Sequence, residues 1–403
     1  MRKNERNLDN CLKCTYCNTV CPVLKANPIY PGPKRLGPEL ERFRKSGVDS
    51  VTDWVDYCLG CGQCNLVCPN GVQVAELIAG AKFNHHKRGK RMMRDSLLAR
   101  PGLLGRLGTL VPPVTNAVLG LRLTSHLMSG TMDISENRKF PPYAAKRLSS
   151  SPGVAEGKER LLFFPGCFAQ HNKPGVGDAA IKVLELFGYC VEVARTGCCG
   201  LPAMANGNAK EMQARARHNI LSLEKAIGGG HKIVVACTSC GHTLKCHYPH
   251  LFEQDKHLDE LAQQVAANTF DLGEFLLGLE SQGESGRRPG NVELSLAYHA
   301  PCHLKAQGIG KPWLSLLARI PGLRVVDVNA GCCGIAGTYG FKKEKYQLSM
   351  DIGRDLFDGL KKIKPDVVVS ECATCQMQIQ DGTGFAAAHP VEILYRAFNQ
   401  TAF

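Results

Sequence analysis

From about residue 159 onward, short apolar runs alternate with longer segments of helical period. Leu161-Leu162-Phe163-Phe164 is a continuous apolar run that predicts a buried strand ending at Gly166-Cys167. Residues 175–188 follow, with Ile181, Leu184, Leu186 and Phe187 in helical register and Gly188 as the stop. Val191-Glu192-Val193 predicts a second strand, 208–226 a second helix, and Ile233-Val234-Val235-Ala236 a third strand that runs into Cys237. Val325-Val326 and Val367-Val368-Val369 take the same places further on. Strands alternating with helices predict a parallel α/β sheet. The cysteines follow the carboxyl ends of those strands, where such sheets place their ligands.

The pattern occurs twice. Cys302 follows Cys167 by 135 positions, Cys332 follows Cys198 by 134, and Cys372 and Cys375 follow Cys237 and Cys240 by 135. The flanking text repeats as well: FFPGCF against YHAPCH, CCGLPAMANG against CCGIAGTYGF, and VVACTSC against VVSECATC. A fixed offset of this kind marks two copies of one module.

The first 90 residues read differently, as compact cysteine runs followed by helix-compatible stretches such as Val72–Phe83, closing on the basic run 85–91. The region 91–158 is a connector rich in Leu, Gly and Pro. The expected architecture is α+β and multi-domain. A mostly helical domain holding the two compact cysteine runs (1–90) is followed by the connector (91–158), a first α/β module with its Cys-Cys-Gly (CCG) segment (159–290) and a second (291–403).

Leu107–Leu121 is uncharged over 15 residues but contains Pro112-Pro113 and is bounded by Arg106 and Arg122. It falls short of the roughly 20 apolar residues of a spanning helix. Leu97-Leu98, Leu103-Leu104, Leu107, Leu110-Val111 and Val118-Leu119 are interleaved with positive charge from Arg91, Arg94, Arg100, Arg106 and Arg122, Asp95 being the one acidic residue of the stretch. That mixture makes the connector a candidate membrane-surface segment, with packing across the modules as the plain alternative.

Composition adds two constraints. The chain has 403 residues and 20 cysteines, but it begins on the polar, charged MRKNERNLDN and carries no signal-peptide pattern. Reduced, metal-ligating thiolates in the cytoplasm are therefore expected rather than a disulfide scaffold. The formal charge of +13 counts cysteine as neutral. Metal centres bound by several thiolates carry net negative charge and would offset much of it, and the rest suits anionic lipid headgroups. Nucleic acid is not expected, because the basic residues are scattered and no aromatic stacking pattern accompanies them.

Cys11, Cys14, Cys17, Cys21 and Cys58, Cys61, Cys64, Cys68 each read C-x-x-C-x-x-C-x-x-x-C-P. This is the run by which two-cluster ferredoxins hold [4Fe–4S] cubanes, the fourth cysteine of each run crossing to the other cluster. The expected sets are Cys11, Cys14, Cys17, Cys68 and Cys58, Cys61, Cys64, Cys21. Structural zinc is the competing reading, and it needs only four ligands. The long-range sets hold five thiols each: Cys167, Cys198, Cys199, Cys237, Cys240, and Cys302, Cys332, Cys333, Cys372, Cys375. Adjacent cysteines fit a regular cube poorly, which points to an unusual cluster; a four-thiolate zinc site with one spare cysteine is the alternative.

Cys190 and Cys246 fall outside every set and read as packing residues or free thiols. His171, His299 and His303 flank module cysteines and are candidate proton carriers, with a loop hydrogen-bonding role as the plainer reading. Gly175-x-Gly177-x-x-Ala180 imitates a dinucleotide fingerprint, but it lies too far from the preceding strand, and Glu192 sits inside its own strand.

The segments NCLKCTYCNTVCPV, NPIYPGPKRLGPELERFR and CCGIAGTYGFKKEKY (332–346) support a family resemblance. The chain resembles the iron–sulfur C subunits of quinone-linked anaerobic glycerol-3-phosphate dehydrogenases. More broadly it is similar to CCG-domain proteins, which include heterodisulfide reductase subunits and the iron–sulfur subunits of glycolate and lactate oxidases. The resemblance implies two flavoprotein dehydrogenase partners, the A and B subunits, that hold the flavin and substrate sites. It also implies menaquinone or another quinone as acceptor, and a peripheral position on the cytoplasmic face of the inner membrane. By the same resemblance, the five-cysteine sets hold one or two non-cubane [4Fe–4S] clusters beside the two cubanes. Some members carry an incomplete first set; this chain retains Cys237 and Cys240. The expected role is an electron-transfer subunit that is not catalytic alone, and the rival is a catalytic disulfide reductase.

Overall fold

The computed structural model describes residues 8–45, 52–88, 92–148, 158–281 and 288–399. Positions 89–91 of the basic run lie outside the described residues, as do the stretches around the module boundaries at 149–157 and 282–287.

Each repeat forms a four-stranded, all-parallel sheet. The first contains β1 (Arg160–Phe164), β2 (Cys190–Val193), β3 (Lys232–Val235) and β4 (Thr269–Asp271) in the order β2-β1-β3-β4. The second contains β5 (Leu294–Tyr298), β6 (Leu323–Asp327), β7 (Val367–Val369) and β8 (Ala387–Ala388) in the order β6-β5-β7-β8. Phe163 lies opposite Val193 and Val234, and Tyr298, its counterpart 135 positions on, lies opposite Asp327 and Val369. The duplicated text therefore folds with duplicated register.

The expected helices form as Pro174–Leu186 and Ala209–Gly228. The second is capped by the Asn208 side chain, which accepts from the Glu211 N–H at 3.2 Å. β4 and β8 escape sequence reading because TFD and AA are too short to form an apolar run. Gly177 of the false fingerprint has a packing role: a Cβ there would meet Leu148 at 2.5 Å.

The two modules share one core. Phe163, Val234 and Leu276 pack in the same hydrophobic cluster as Leu296, Tyr298, Trp313 and Val369. Trp313 is fully buried, and a Cβ at Gly273 would lie 2.6 Å from its ring. Trp313→Ala is expected to cost about 3–5 kcal/mol in chemical denaturation, through the void left beneath both sheets.

The N-terminal part is helical and short in its elements, apart from Val74–Arg88, which supplies Leu77 and Ile78 to a core with Val23, Tyr30, Leu36 and Val55. That core also takes Ile352 from the second module, and Lys345 donates to the Asp56 carbonyl at 2.6 Å. The ferredoxin-type part is thus seated on the second module.

The connector folds into helices Met93–Leu98, Pro101–Gly108, Pro112–Gly120 and Arg122–Met132. Gly105 and Gly108 face His171 and Tyr143; a Cβ at either would approach those rings to 2.4 Å. The glycines let helix Pro101–Gly108 dock closely and turn its leucines outward. Leu107, Leu110, Val114, Leu121, Leu123 and Leu127 are all more than half exposed. Among the described residues, no helix is long and apolar enough to cross a membrane.

Candidate metal centres

The two N-terminal loops adopt the same backbone path. Lys13 (φ +59°) and Thr15 (φ +71°) of the first occupy the places of Gly60 (φ +66°) and Gly62 (φ +71°) in the second. These left-handed turns curl each C-x-x-C-x-x-C stretch around one point. Cys11, Cys14, Cys17 and Cys68 line one hollow, and Cys21, Cys58, Cys61 and Cys64 line another. The fourth cysteine of each run therefore crosses to the other group. Amides of Gly60 and Val72 donate to the sulfurs of Cys58 and Cys68 at 3.5 and 3.3 Å.

Burial pushes the Cys17 thiol up to about 11, and Cys11 and Cys14 reinforce the effect. Burial raises Cys21 likewise to about 11, with Cys58 adding repulsion. Burial also holds Cys61 and Cys64 well above the ordinary thiol range. Thiols this crowded and dry ionise only beside compensating positive charge, and an iron core would supply it to an all-sulfur donor set. Lys82, buried against the Cys58 carbonyl at 3.1 Å, brings one positive charge to the second group. Tyr30 packs over the same group, and its hydroxyl titrates far above its usual range because of burial and the nearby thiols.

Each long-range set also converges. In the first module, sulfur contacts run Cys167–Cys198–Cys199–Cys240–Cys237. In the second they run Cys302–Cys332–Cys333–Cys375–Cys372, the same order residue for residue. The Cys333 and Cys375 sulfurs are 3.2 Å apart. Hydrogen bonds from Cys302 and Cys375 hold Cys332 and Cys372, respectively, well below the ordinary thiol range. Cys198, Cys240, Cys302, Cys333 and Cys375 are held well above it, and Cys199 goes up to about 12, first through its contact with Cys198. Both sets open onto one largely apolar cavity of about 260 Å³ between the modules, which Leu104, Phe140, Tyr143 and Phe168 also line.

The sets are not equally spaced along the molecule. Cys61 of the second N-terminal group lies close enough to Cys332 and Cys302 for their charges to interact. Gln63 donates to the Cys302 carbonyl at 3.3 Å. A ring nitrogen of His303 meets the Gly60 carbonyl at 3.2 Å, and the other meets Ser239 Oγ at 2.9 Å. His303 is thereby a strut between loops. His171 packs beneath the connector, where burial first, then Arg147 and Arg106, lowers it to about 4. Cys190 opens β2 and Cys246 lies in the turn Thr243–His247, both outside the four sets.

Sequence reasoning missed a buried acid pair. The Tyr298 hydroxyl donates to Glu371 at 2.6 Å, and burial followed by repulsion from Asp271 raises the Glu371 carboxyl well above its usual range. Burial pushes Asp271 up to about 7. The available signal was a glutamate directly before Cys372 at the end of an apolar strand.

Comparison with known proteins agrees with this layout. Residues 7–72 match the 4Fe-4S dicluster domain, and residues 161–245 and 296–380 each match the cysteine-rich domain of the CCG type. The C subunit of the anaerobic glycerol-3-phosphate dehydrogenase of Escherichia coli K12 is 34% identical across 98% of this chain and 99% of that protein. The B subunit of the fumarate reductase (CoM/CoB) of Methanothermobacter marburgensis is 30% identical across 62% of this chain and 47% of its own length. Lactate utilization protein A of Anoxybacillus flavithermus is 29% identical across 58% and 98% respectively. With its dicluster segment, its doubled cysteine-rich module and collinear similarity from end to end, the chain belongs to the family of anaerobic glycerol-3-phosphate dehydrogenase C subunits.

Proposed function

We propose that this chain is the electron-transfer subunit of a glycerol-3-phosphate dehydrogenase complex, passing electrons from the flavoprotein A and B subunits to a membrane quinone such as menaquinone. Cys11, Cys14, Cys17, Cys68 and Cys58, Cys61, Cys64, Cys21 would hold two cubanes, and the two quintets two further, non-cubane clusters. Iron–sulfur groups supply one-electron carriers, and the protein tunes them through burial and hydrogen bonds to sulfur. The observation that carries this reading is the chain of adjacent donor sets, from Cys11, Cys14, Cys17 and Cys68 through Cys61 to Cys302 and Cys332. The ferredoxin-type part receives electrons and the second module takes them on.

The connector supports a peripheral place on the cytoplasmic membrane face. Its helices between Pro101 and Met132 carry no acidic residue, and Arg106 and Arg122 stand exposed among the leucines. Such a surface suits insertion at an anionic headgroup boundary.

Two measurements test the reading. Anaerobically purified chain is expected to hold roughly sixteen iron atoms, four for each of four clusters; about eight with zinc would limit the assignment to the cubanes. Reconstituted with its flavoprotein partners and membranes, it is expected to couple glycerol-3-phosphate oxidation to quinone reduction. Undiminished coupling without it, or direct turnover of a disulfide by the isolated chain, would overturn the assignment.

A further inference from the structure

The two cysteine quintets match residue for residue, yet their surroundings differ at one position. Phe164 is the last residue of β1, and its counterpart 135 positions on, directly after β5, is His299. The backbone N–H of His299 donates to the Val369 carbonyl at 3.0 Å, which extends the sheet register by one residue and fixes where the ring goes. His299 is 2% exposed, and its Nε2 is buried with no hydrogen-bond partner. A ring nitrogen of His299 and the sulfurs of Cys333 and Cys375 all lie within 4.8 Å of one another, the sole group of this kind among the described residues.

A buried polar nitrogen without a partner is costly, and native structures rarely leave one unexplained. A histidine packed against a protein carbonyl or a water would explain it; here the neighbours are thiols that the proposed function assigns to iron. Imidazole is a common iron ligand, and the identity of the ligands sets the reduction potential of an iron–sulfur centre.

We infer that the second quintet is a mixed nitrogen–sulfur metal site with His299 as its sixth donor, whereas the first quintet is bound by sulfur alone. The inference rests on the proposed iron at that site. It makes the duplicated sites electronically unequal, and the second is also the one beside Cys61.

The test uses the full chain, purified anaerobically, with histidine labelled by ¹⁵N. Pulsed EPR of the reduced wild-type protein is expected to show a strong histidine nitrogen coupling on one centre. His299→Phe, which copies the first module, should abolish that coupling and shift the potential of that centre alone. A shift of at least tenfold in its reduction equilibrium, about 59 mV for one electron, is expected. Wild-type protein with full iron and no strong nitrogen coupling would overturn the inference whatever the fate of the variant. A weak coupling only, as from a hydrogen bond to sulfur, would overturn direct ligation too. A wild-type iron content too low for a cluster in the second quintet would instead remove the underlying function reading, and the inference with it.

Discussion

Replacing Gly334 with alanine is expected to empty the second quintet of iron while the other donor sets stay loaded. Gly334 follows Cys332-Cys333 with φ +90°, a conformation that L side chains rarely adopt. A Cβ there would lie 2.0 Å from the Ser349 carbonyl oxygen, in the backbone of the long helix Lys343–Ile363. That helix cannot retreat without breaking its own hydrogen bonds. The same glycine donates its N–H to the Cys332 sulfur at 3.3 Å and accepts from Ser349 Oγ at 2.9 Å. The expected cost exceeds about 4 kcal/mol, in the class reserved for severe backbone conflicts. Gly200→Ala is the internal comparison. Gly200 has φ +94°, but its Cβ would meet the mobile end of Met212, the sulfur, at 2.5 Å. Strain of about 1–3 kcal/mol remains there, and iron in the first quintet should largely persist. Iron per chain and denaturation midpoints read both effects; unchanged iron and stability in Gly334→Ala would falsify the account of the Cys-Cys-Gly turn.

The second large effect concerns the membrane. Leu107, Leu110 and Leu123 are 57%, 70% and 78% exposed. Burying each in a headgroup boundary contributes about 1.5 kcal/mol or more, so the triple replacement by glutamate should weaken vesicle binding by about three orders of magnitude. The fold should be indifferent, because these side chains pack on little, and circular dichroism should not change. Binding of the wild-type chain should prefer anionic over neutral vesicles and weaken with salt, as exposed Arg106 and Arg122 require. Co-sedimentation of the triple variant at wild-type levels would show that the connector is not the contact.

Much of the molecule was legible before folding. The repeated offset, the apolar runs ending at cysteines and the paired ferredoxin runs each encode local structure. A strand of four apolar residues or a loop of three-residue spacings is specified by neighbours in the chain. The crossed pairing of Cys21 with Cys58, Cys61 and Cys64 was legible too, because the run itself is diagnostic. The connector was not: its composition admits either packing or exposure. Gly105 and Gly108 decide for exposure of the leucines by letting the opposite helix face sit on His171 and Tyr143.

The sequence by itself therefore determined the kinds of element, the doubling of the module and which cysteines gather around a common point, since all of these are written in spacing and period. Only the tertiary structure decided that the modules share a core through Trp313, that Cys61 approaches Cys302 and Cys332, and that His299 brings a ring nitrogen to sulfurs where Phe164 packs an apolar ring. Those relations join residues from 34 to 271 positions apart. Side-chain packing sets them, and no periodicity along one chain records which surfaces will meet.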